Sequence, residues 1–489
     1  MSMKQNTAFL KTADALKPKL HRRTVTARAP QTPMTRGDRA VFDFSEHLVG
    51  FVTLSFETVG SHPDAPVWLD LQFAEREQEL SERVEDYHGW VSPSWVQQER
   101  IHLDMFPCTV TLPRRYAFRY LDIRVLGISQ KFRLVVREVR CEAVSSADEE
   151  RLLPYRSQDA EQMRLDRIAC KTLHDCMQDV FEDGPKRDRR LWIGDLRLQA
   201  LANAQTYRKF DLVKRCLYLF AGSTTEDGRV GAAIFTEPEI EADDTAMFDY
   251  SLLFIPTLLD YYEATGDRET LSELWPTAKR QIELARDSFD ASGVVRDSSV
   301  LGWCFVDWNL ALNKQASAQG IYLYCEAAAK RIAAILGDAE AERALSADCE
   351  AGQNAARKHL YDAEKGVFIS GEARQVSIAS QVWMILGGVS DDAGILDRAA
   401  NMPDAVGMVT PYMYHHYVQA LIDVGRKAQA LDVLRSYWGG MANEGADTFW
   451  ELYNPDNPNE SPYGGTIVLS YCHAWSCAPA YFLRKYYQE

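Results

Sequence analysis

Between Asp183 and Asp195 the chain runs Asp-Gly-Pro-Lys-Arg-Asp-Arg-Arg-Leu-Trp-Ile-Gly-Asp, three carboxylates and four cations around a single indole. A charge run of this kind is ordinarily a solvated, salt-bridged loop. Here Leu191, Trp192 and Ile193 interrupt it, so one side must pack inward and carry some of the charges toward a protected surface. Carboxylates held there can bond hydroxyls or pass protons, and an indole can lie on the apolar face of a pyranose ring, which is the chemistry of a sugar site. Gly184 and Pro185 read as the end of the helix before the loop and Gly194-Asp195 as the cap of the helix after it. The connection is then longer than the ~2–8 residues usual between packed helices.

Three other stretches share the long, aromatic character. Ser298 to Asn309 holds Trp303, Asp307 and Trp308; Asp307 is either a hydroxyl ligand or the N-cap of a following helix. Asn443 to Ser470, rich in Gly, Asn and Pro, holds Trp450 followed by Glu451, a carboxylate in a segment suited to no regular structure. Glu75 to Gln98 carries Tyr87, His88, Trp90, Ser92, Ser94 and Trp95, aromatics that either face a sugar or cover a sheet edge. Cys170, His174 and Cys176 offer one i,i+4 ligand pair with no second pair nearby, too little for a zinc site.

The elements that must position these loops change period once. From Ala40 to about Val144 short alternating runs such as Val67-Trp68-Leu69-Asp70-Leu71-Gln72-Phe73 repeat, the pattern of an antiparallel β-sandwich. Met1 to Arg39 is basic, holds Pro30 and Pro33 and shows no sustained period, so it reads as an extended arm. After Ser145 roughly a dozen amphipathic segments follow, from Ala160–Phe181 to Tyr471–Tyr487, paired by short turns and separated by longer loops. Paired helices without a fixed repeat suggest an (α/α)6 barrel rather than a solenoid. The expected organisation is an arm over 1–39, a β-sandwich over 40–150 and the barrel over 151–489.

Composition bounds the partners. The formal net charge of -16 disfavours nucleic acid and anionic membranes, and no apolar run is long enough for a signal peptide or a membrane span. A cytoplasmic protein is expected. Its ten cysteines are scattered without a paired pattern and read as reduced thiols.

The chain resembles the bacterial α-L-rhamnosidases that invert anomeric configuration. That family's acid loop orders Asp, Pro, Arg, Glu, Trp, Gly and Asp, and Asp183, Pro185, Arg187, Asp188, Trp192, Gly194 and Asp195 follow it, with Asp188 where the glutamate usually stands. Gly445-Ala446-Asp447-Thr448-Phe449-Trp450-Glu451 is similar to the segment that carries the general base. Asp307-Trp308, Thr410-Pro411-Tyr412, His473-Ala474-Trp475 and, in the sandwich, Phe42-Asp43-Phe44 with Leu48-Val49-Gly50 also resemble family positions. The likeness runs from about residue 40 to the end.

The resemblance implies an N-terminal β-sandwich before an (α/α)6 barrel and release of a terminal α-L-rhamnose-like deoxysugar from a rhamnosyl oligosaccharide or glycoside. Asp188 would be the acid and Glu451 the base. Asp183, Asp195 and Asp307 would orient hydroxyls, Trp192, Trp303, Trp308 and Trp450 would form apolar walls, and Arg187 and His473 would complete the binding set. No metal or organic cofactor is required, and a homodimer is left open. An acid among four cations works only if they pair elsewhere, Arg187 with Asp183 or Asp195. Two other readings fit some features: a uronide hydrolase or polysaccharide lyase on the same barrel, which would use those cations, and a non-catalytic sugar-binding relative that has lost its acid.

Overall fold

In the computed structural model, which describes residues 3–28, 31–243 and 245–488, the first strongly periodic stretch forms a seven-stranded antiparallel sheet. Its strands are β2 (His21–Ala27), β3 (Arg39–Gly60), β4 (Val67–Ala74), β5 (Gln98–Leu103), β6 (Cys108–Thr111), β7 (Tyr116–Gly127) and β8 (Phe132–Ser145), ordered β2-β8-β3-β7-β4-β5 with β6 against β3. The long β3 pairs with β7 along its first half and with β8 along its second. Within the half paired with β7 a bulge from Asp43 to Leu48 places Ser45 at φ 67° and bends the strand. Val67, Leu69, Leu71 and Phe73 of β4 share one apolar core with Phe42, Leu54, Phe118 and Leu121 of the neighbouring strands, as period-two alternation requires.

The segment expected to be an extended arm is not one. Its strand β1 (Met3–Gln5) pairs with Ser223–Thr225 in the helical part, α1 (Thr7–Ala15) packs on a barrel helix, and β2 joins the sheet along β8. Residues 1–2 and 29–30 of that stretch lie outside the described residues. Asn6 caps α1 by accepting from the backbone N–H of Ala8 and Phe9, a local signal. The strands, by contrast, depend on partners remote in sequence.

The helical part closes on itself. Ile193–Gln205, Phe248–Thr265, Gln315–Leu336, Ile378–Leu386 and Pro411–Asp423 pack each on the next. Ala478–Tyr486 completes the ring, against His415 of the fifth helix on one side and the first helix on the other. Ile378–Leu386 is apolar and buried almost all round, as an inner-ring helix must be, whereas the outer Arg268–Ala285 and Ala339–His359 keep one buried stripe. The helix expected to reach Phe181 stops at Cys176. Met177, Val180 and Phe181 prolong the apolar period but are buried in a turn, where the Met177 carbonyl accepts from Ser146 N–H at the end of the sheet. No helix among the described residues is long and apolar enough to cross a membrane.

Candidate active site

The acid loop owes its shape to bonds that its own sequence cannot supply. The Asp183 carboxylate accepts the backbone N–H of Asp188 at 3.2 Å and of Arg190 at 3.0 Å, folding the loop over itself. The segment 468–474 holds it from outside: Ser470 Oγ donates to the Arg187 carbonyl at 2.8 Å, Ala474 N–H to the Asp183 carbonyl at 3.0 Å, and Arg187 Nε to the Val468 carbonyl at 2.8 Å. Lys186 runs away from the site into the sheet domain, pairing with Glu79 at 2.5 Å.

Gly194 and Asp195 do not cap the next helix. That helix begins at Ile193, so the Asp195 carboxylate stands in its first turn and is free for other work. Gly194 is required there by close packing, since a Cβ would come within 2.4–2.9 Å of the Tyr250 ring. Tyr250 in turn donates to Asp195 Oδ2 at 3.3 Å.

These loops open on one cavity of about 390 Å³, within the usual size range of small-ligand sites. Asp183, Arg187, Asp188, Trp192, Asp195, Trp303, Trp308, Glu451 and His473, all singled out in the sequence, line it. Asp307 and Trp450 are not among the lining residues. Asp307 clasps the start of the Pro411–Asp423 helix, accepting from Val409 N–H at 2.8 Å, Thr410 N–H at 3.0 Å and Thr410 Oγ1 at 2.6 Å. Trp450 is fully buried with the Arg76 guanidinium 4.1 Å from its ring centre. Trp450 is thus internal packing and Asp307 a clasp on the fold, whereas Trp303 and Trp308 beside Asp307 do face the cavity.

Tyr250, Phe305, Tyr463 and Trp475 join the lining. Phe305 and Trp475 stack at 5.6 Å and 23° to make an apolar floor. Trp90 and Trp95 reach the cavity from the sheet domain, while the base of the same loop covers the sheet, Gln72 Nε2 donating to the Glu79 and Glu82 carbonyls. The alternatives of wall and edge cover are both realised in one loop. Tyr463 carried no signal beyond its place in a long irregular loop.

The two carboxyls proposed from sequence as acid and base face this cavity in different states of engagement. Glu451 is tightly held: Oε2 accepts from Arg187 at 2.5 Å and Ser470 N–H at 3.3 Å, and Oε1 accepts from the Tyr463 hydroxyl. Asp188 meets Arg187 only at 3.5 Å. Arg187 therefore pairs with Glu451 and not, as expected, with Asp183 or Asp195. Arg190 turns to Asp243 at 3.7 Å and Arg189 to the Lys186 carbonyl at 3.3 Å.

Electrostatics set the protonation of the remaining polar groups. Burial, then the charge of Asp188, push the Asp183 carboxyl up, and burial, then Asp183, push Asp195 well up. Burial and then Arg187 push His473 far below the usual imidazole range, so it is neutral. Four polar atoms on the described lining residues are buried without a hydrogen-bond partner, Asp195 Oδ1, His473 Nδ1, Trp192 Nε1 and Trp308 Nε1, the first two facing each other at 3.8 Å. Buried polar groups are rarely left so. Two indole donors with a carboxyl and an imidazole nitrogen form a ready set for the hydroxyls of a small neutral polyol.

The chain is similar to known proteins over its full length. The glycosyl hydrolase family 78 α-rhamnosidase N-terminal domain matches residues 9–143, and the bacterial α-L-rhamnosidase six-hairpin glycosidase domain matches residues 155–487. A rhamnosidase from Klebsiella oxytoca, solved with rhamnose bound, is 43% identical with a TM-score of 0.95, covering 99% of this chain and 100% of that one. The family 78 rhamnosidase of Bacillus sp. GL1 (24% identity, TM-score 0.77) and the Streptomyces avermitilis α-L-rhamnosidase complexed with L-rhamnose (16%, 0.69) share the fold. This chain covers 91% and 96% of itself in those comparisons but only 46% and 44% of the larger proteins. A search of curated protein sequences gave no match.

Proposed function

Because the chain belongs to the bacterial α-L-rhamnosidases of glycosyl hydrolase family 78 and is a glycosidase, we propose that it releases a terminal α-L-rhamnosyl residue with inversion, Asp188 serving as acid and Glu451 as base. The observation that carries this reading is the position of Arg187, one guanidinium in contact with both carboxyls. A shared guanidinium brings both carboxyls to one site, as an acid and base acting on the same glycosidic bond require, and the anomer released first distinguishes an inverting from a retaining pair.

Glu451 Oε2 is saturated by Arg187 and Ser470, whereas Oε1 accepts only Tyr463, so Oε1 retains a lone pair for a water proton. Asp188, with its side chain 23% exposed and its carboxyl met only by Arg187 at 3.5 Å, is free to meet a leaving-group oxygen. The unpartnered atoms of Asp195, His473, Trp192 and Trp308 take the sugar hydroxyls, and the Phe305 and Trp475 rings take the apolar C6 methyl of a deoxysugar. Of the cations around Asp188, Lys186 and Arg189 do not line the cavity, and Arg187 and Arg190 are paired with Glu451 and Asp243, which disfavours a uronate.

The test is hydrolysis of a panel of aryl glycosides, followed by NMR of the first-formed anomer. α-L-Rhamnoside cleaved well ahead of the others, with β-L-rhamnose appearing first, is the expected result. Initial release of the α anomer would overturn the inverting assignment.

A further inference from the structure

Tyr463 lies in a loop rich in Pro, Gly and Asn, yet it is buried. Its hydroxyl donates to Glu451 Oε1, and the Arg187 guanidinium lies 4.0 Å from its ring centre. The hold on the Tyr463 backbone comes from the other domain. Tyr87 Oη donates to the Tyr463 carbonyl at 2.7 Å, and Trp90 Nε1 to the Pro462 carbonyl at 2.9 Å. Glu82 receives Thr466 Oγ1 and, at 3.3 Å, Ile467 N–H. Gly89 lies so close that a Cβ would stand 1.8 Å from the Tyr463 carbonyl oxygen. The strip 82–90 of the sheet domain is thus zipped to 462–467 of the barrel.

We propose that Tyr463 is a positioning residue for the base and that the sheet domain, through Tyr87, Gly89 and Trp90, fixes the carboxylate oxygen that takes the water proton. The proposal rests on Glu451 being the base. With Oε2 locked by Arg187 and Ser470, the hydroxyl on Oε1 selects the carboxylate rotation and leaves one lone pair directed at the cavity. Two hydrogen bonds on one domain therefore bear on catalysis in the other, although the residues making them do not touch Glu451.

The titratable groups that share the cavity with Glu451 are Asp183, Arg187, Asp188 and Arg190 of the loop 183–195, Asp195 of the helix start, Asp243, Tyr250, and Tyr463 and His473 beside it. Of these, Arg187 and Tyr463 contact the carboxylate. Removing the Tyr463 hydroxyl removes a donor to the ionised form only, so proton uptake becomes easier and the acidic limb of kcat moves to higher pH.

The experiment compares wild type, Tyr463→Phe and Tyr87→Phe over pH on an aryl α-L-rhamnoside, with thermal unfolding alongside. Expected are a tenfold or larger fall of kcat in Tyr463→Phe with an acidic limb displaced upward, and a several-fold fall with the same direction of displacement in Tyr87→Phe, KM changing little in both. An unmoved limb in both variants, or a loss carried by KM, overturns the proposal. Should Tyr463→Phe not fold, Tyr87→Phe alone decides by the same criterion. Azide added to Glu451→Ala separates the two readings. Restored turnover with inverted glycosyl azide as product upholds the base, so that an unmoved limb then counts against Tyr463 alone. Absent rescue removes Glu451 as base and the proposal with it.

Discussion

Glu451 and Asp188 reach the same cavity from loops of similar irregularity, but one is built in and the other is left open. Glu451 has a 5% exposed side chain with both oxygens bonded, while Asp188 is 23% exposed with its backbone tied down by Asp183 and its carboxyl almost unengaged. In the proposed assignment Asp188, as acid, must release its proton to the leaving oxygen and recover another from solvent, so engagement would slow it. A base that takes a proton from a water in one orientation gains from being fixed. The contrast also separates chemistry from stability, because the built-in carboxyl is held to buried Arg187 at 2.5 Å and the open one meets the same cation only at 3.5 Å.

Glu451→Gln breaks the contrast most severely. Its kcat should fall by about 10³-fold or more, and the folded state should lose on the order of 2 kcal/mol because Arg187 keeps its burial but loses the charge that balanced it. Steady-state kinetics and thermal unfolding of one preparation check both; undiminished stability would show that Arg187 finds another partner. Asp188→Asn should leave stability within about 0.5 kcal/mol. It should slow substrates with poor leaving groups ~10²-fold or more, and activated phenyl rhamnosides far less, since those scarcely need protonation. Equal losses on both substrate types would assign Asp188 to binding.

At the mouth, Trp90 and Trp303 are 70% and 56% exposed, yet each is secured by a backbone carbonyl bond, Trp90 Nε1 to Pro462 and Phe248 N–H to the Trp303 carbonyl. Trp303→Ala should raise KM several-fold for substrates with large leaving groups, with kcat on the smallest aryl rhamnoside little changed. Asp307→Asn sharpens the comparison from outside the cavity. Its effect should fall on stability, about 2 kcal/mol for the lost clasp, with KM unaltered. Burial pushes Asp307 up to about 6, so the fold holds a proton there that the unfolded chain releases near pH 4. Stability from this group is full below that point and is lost as pH rises toward 6. A wild-type stability slope between pH 4 and 6 that flattens in Asp307→Asn is the expected result of pH-dependent thermal unfolding.

Local and periodic features were legible without coordinates. The two-residue alternation of β3, β4, β7 and β8 and the helical period from Ala160 onward depend on side-chain spacing alone, which is why the sandwich and the paired helices were readable. The order of residues in 183–195 and 445–451 likewise placed Asp188 and Glu451, and the unusual length of their loops marked them. Where the period misled, at Met177 to Phe181 and in residues 3–27, burial came from a remote segment: Ser146 at the sheet end for the one, and Ser223–Thr225 and β8 for the other.

Only the tertiary structure decided which aromatic-flanked carboxyls face the cavity. Asp307 and Glu451 look alike in sequence, each beside a tryptophan in a long loop. Whether such a group clasps its own fold or turns to a ligand depends on donors that arrive from elsewhere, Val409 and Thr410 for Asp307 and Arg187, Ser470 and Tyr463 for Glu451. The same holds for three of the four cations in 183–195, Lys186, Arg190 and Arg187, whose partners Glu79, Asp243 and Glu451 lie 50 to more than 250 residues away. Residue type and spacing fix what a side chain can do, but the partner that claims it is set by chain closure over distances that no local pattern encodes.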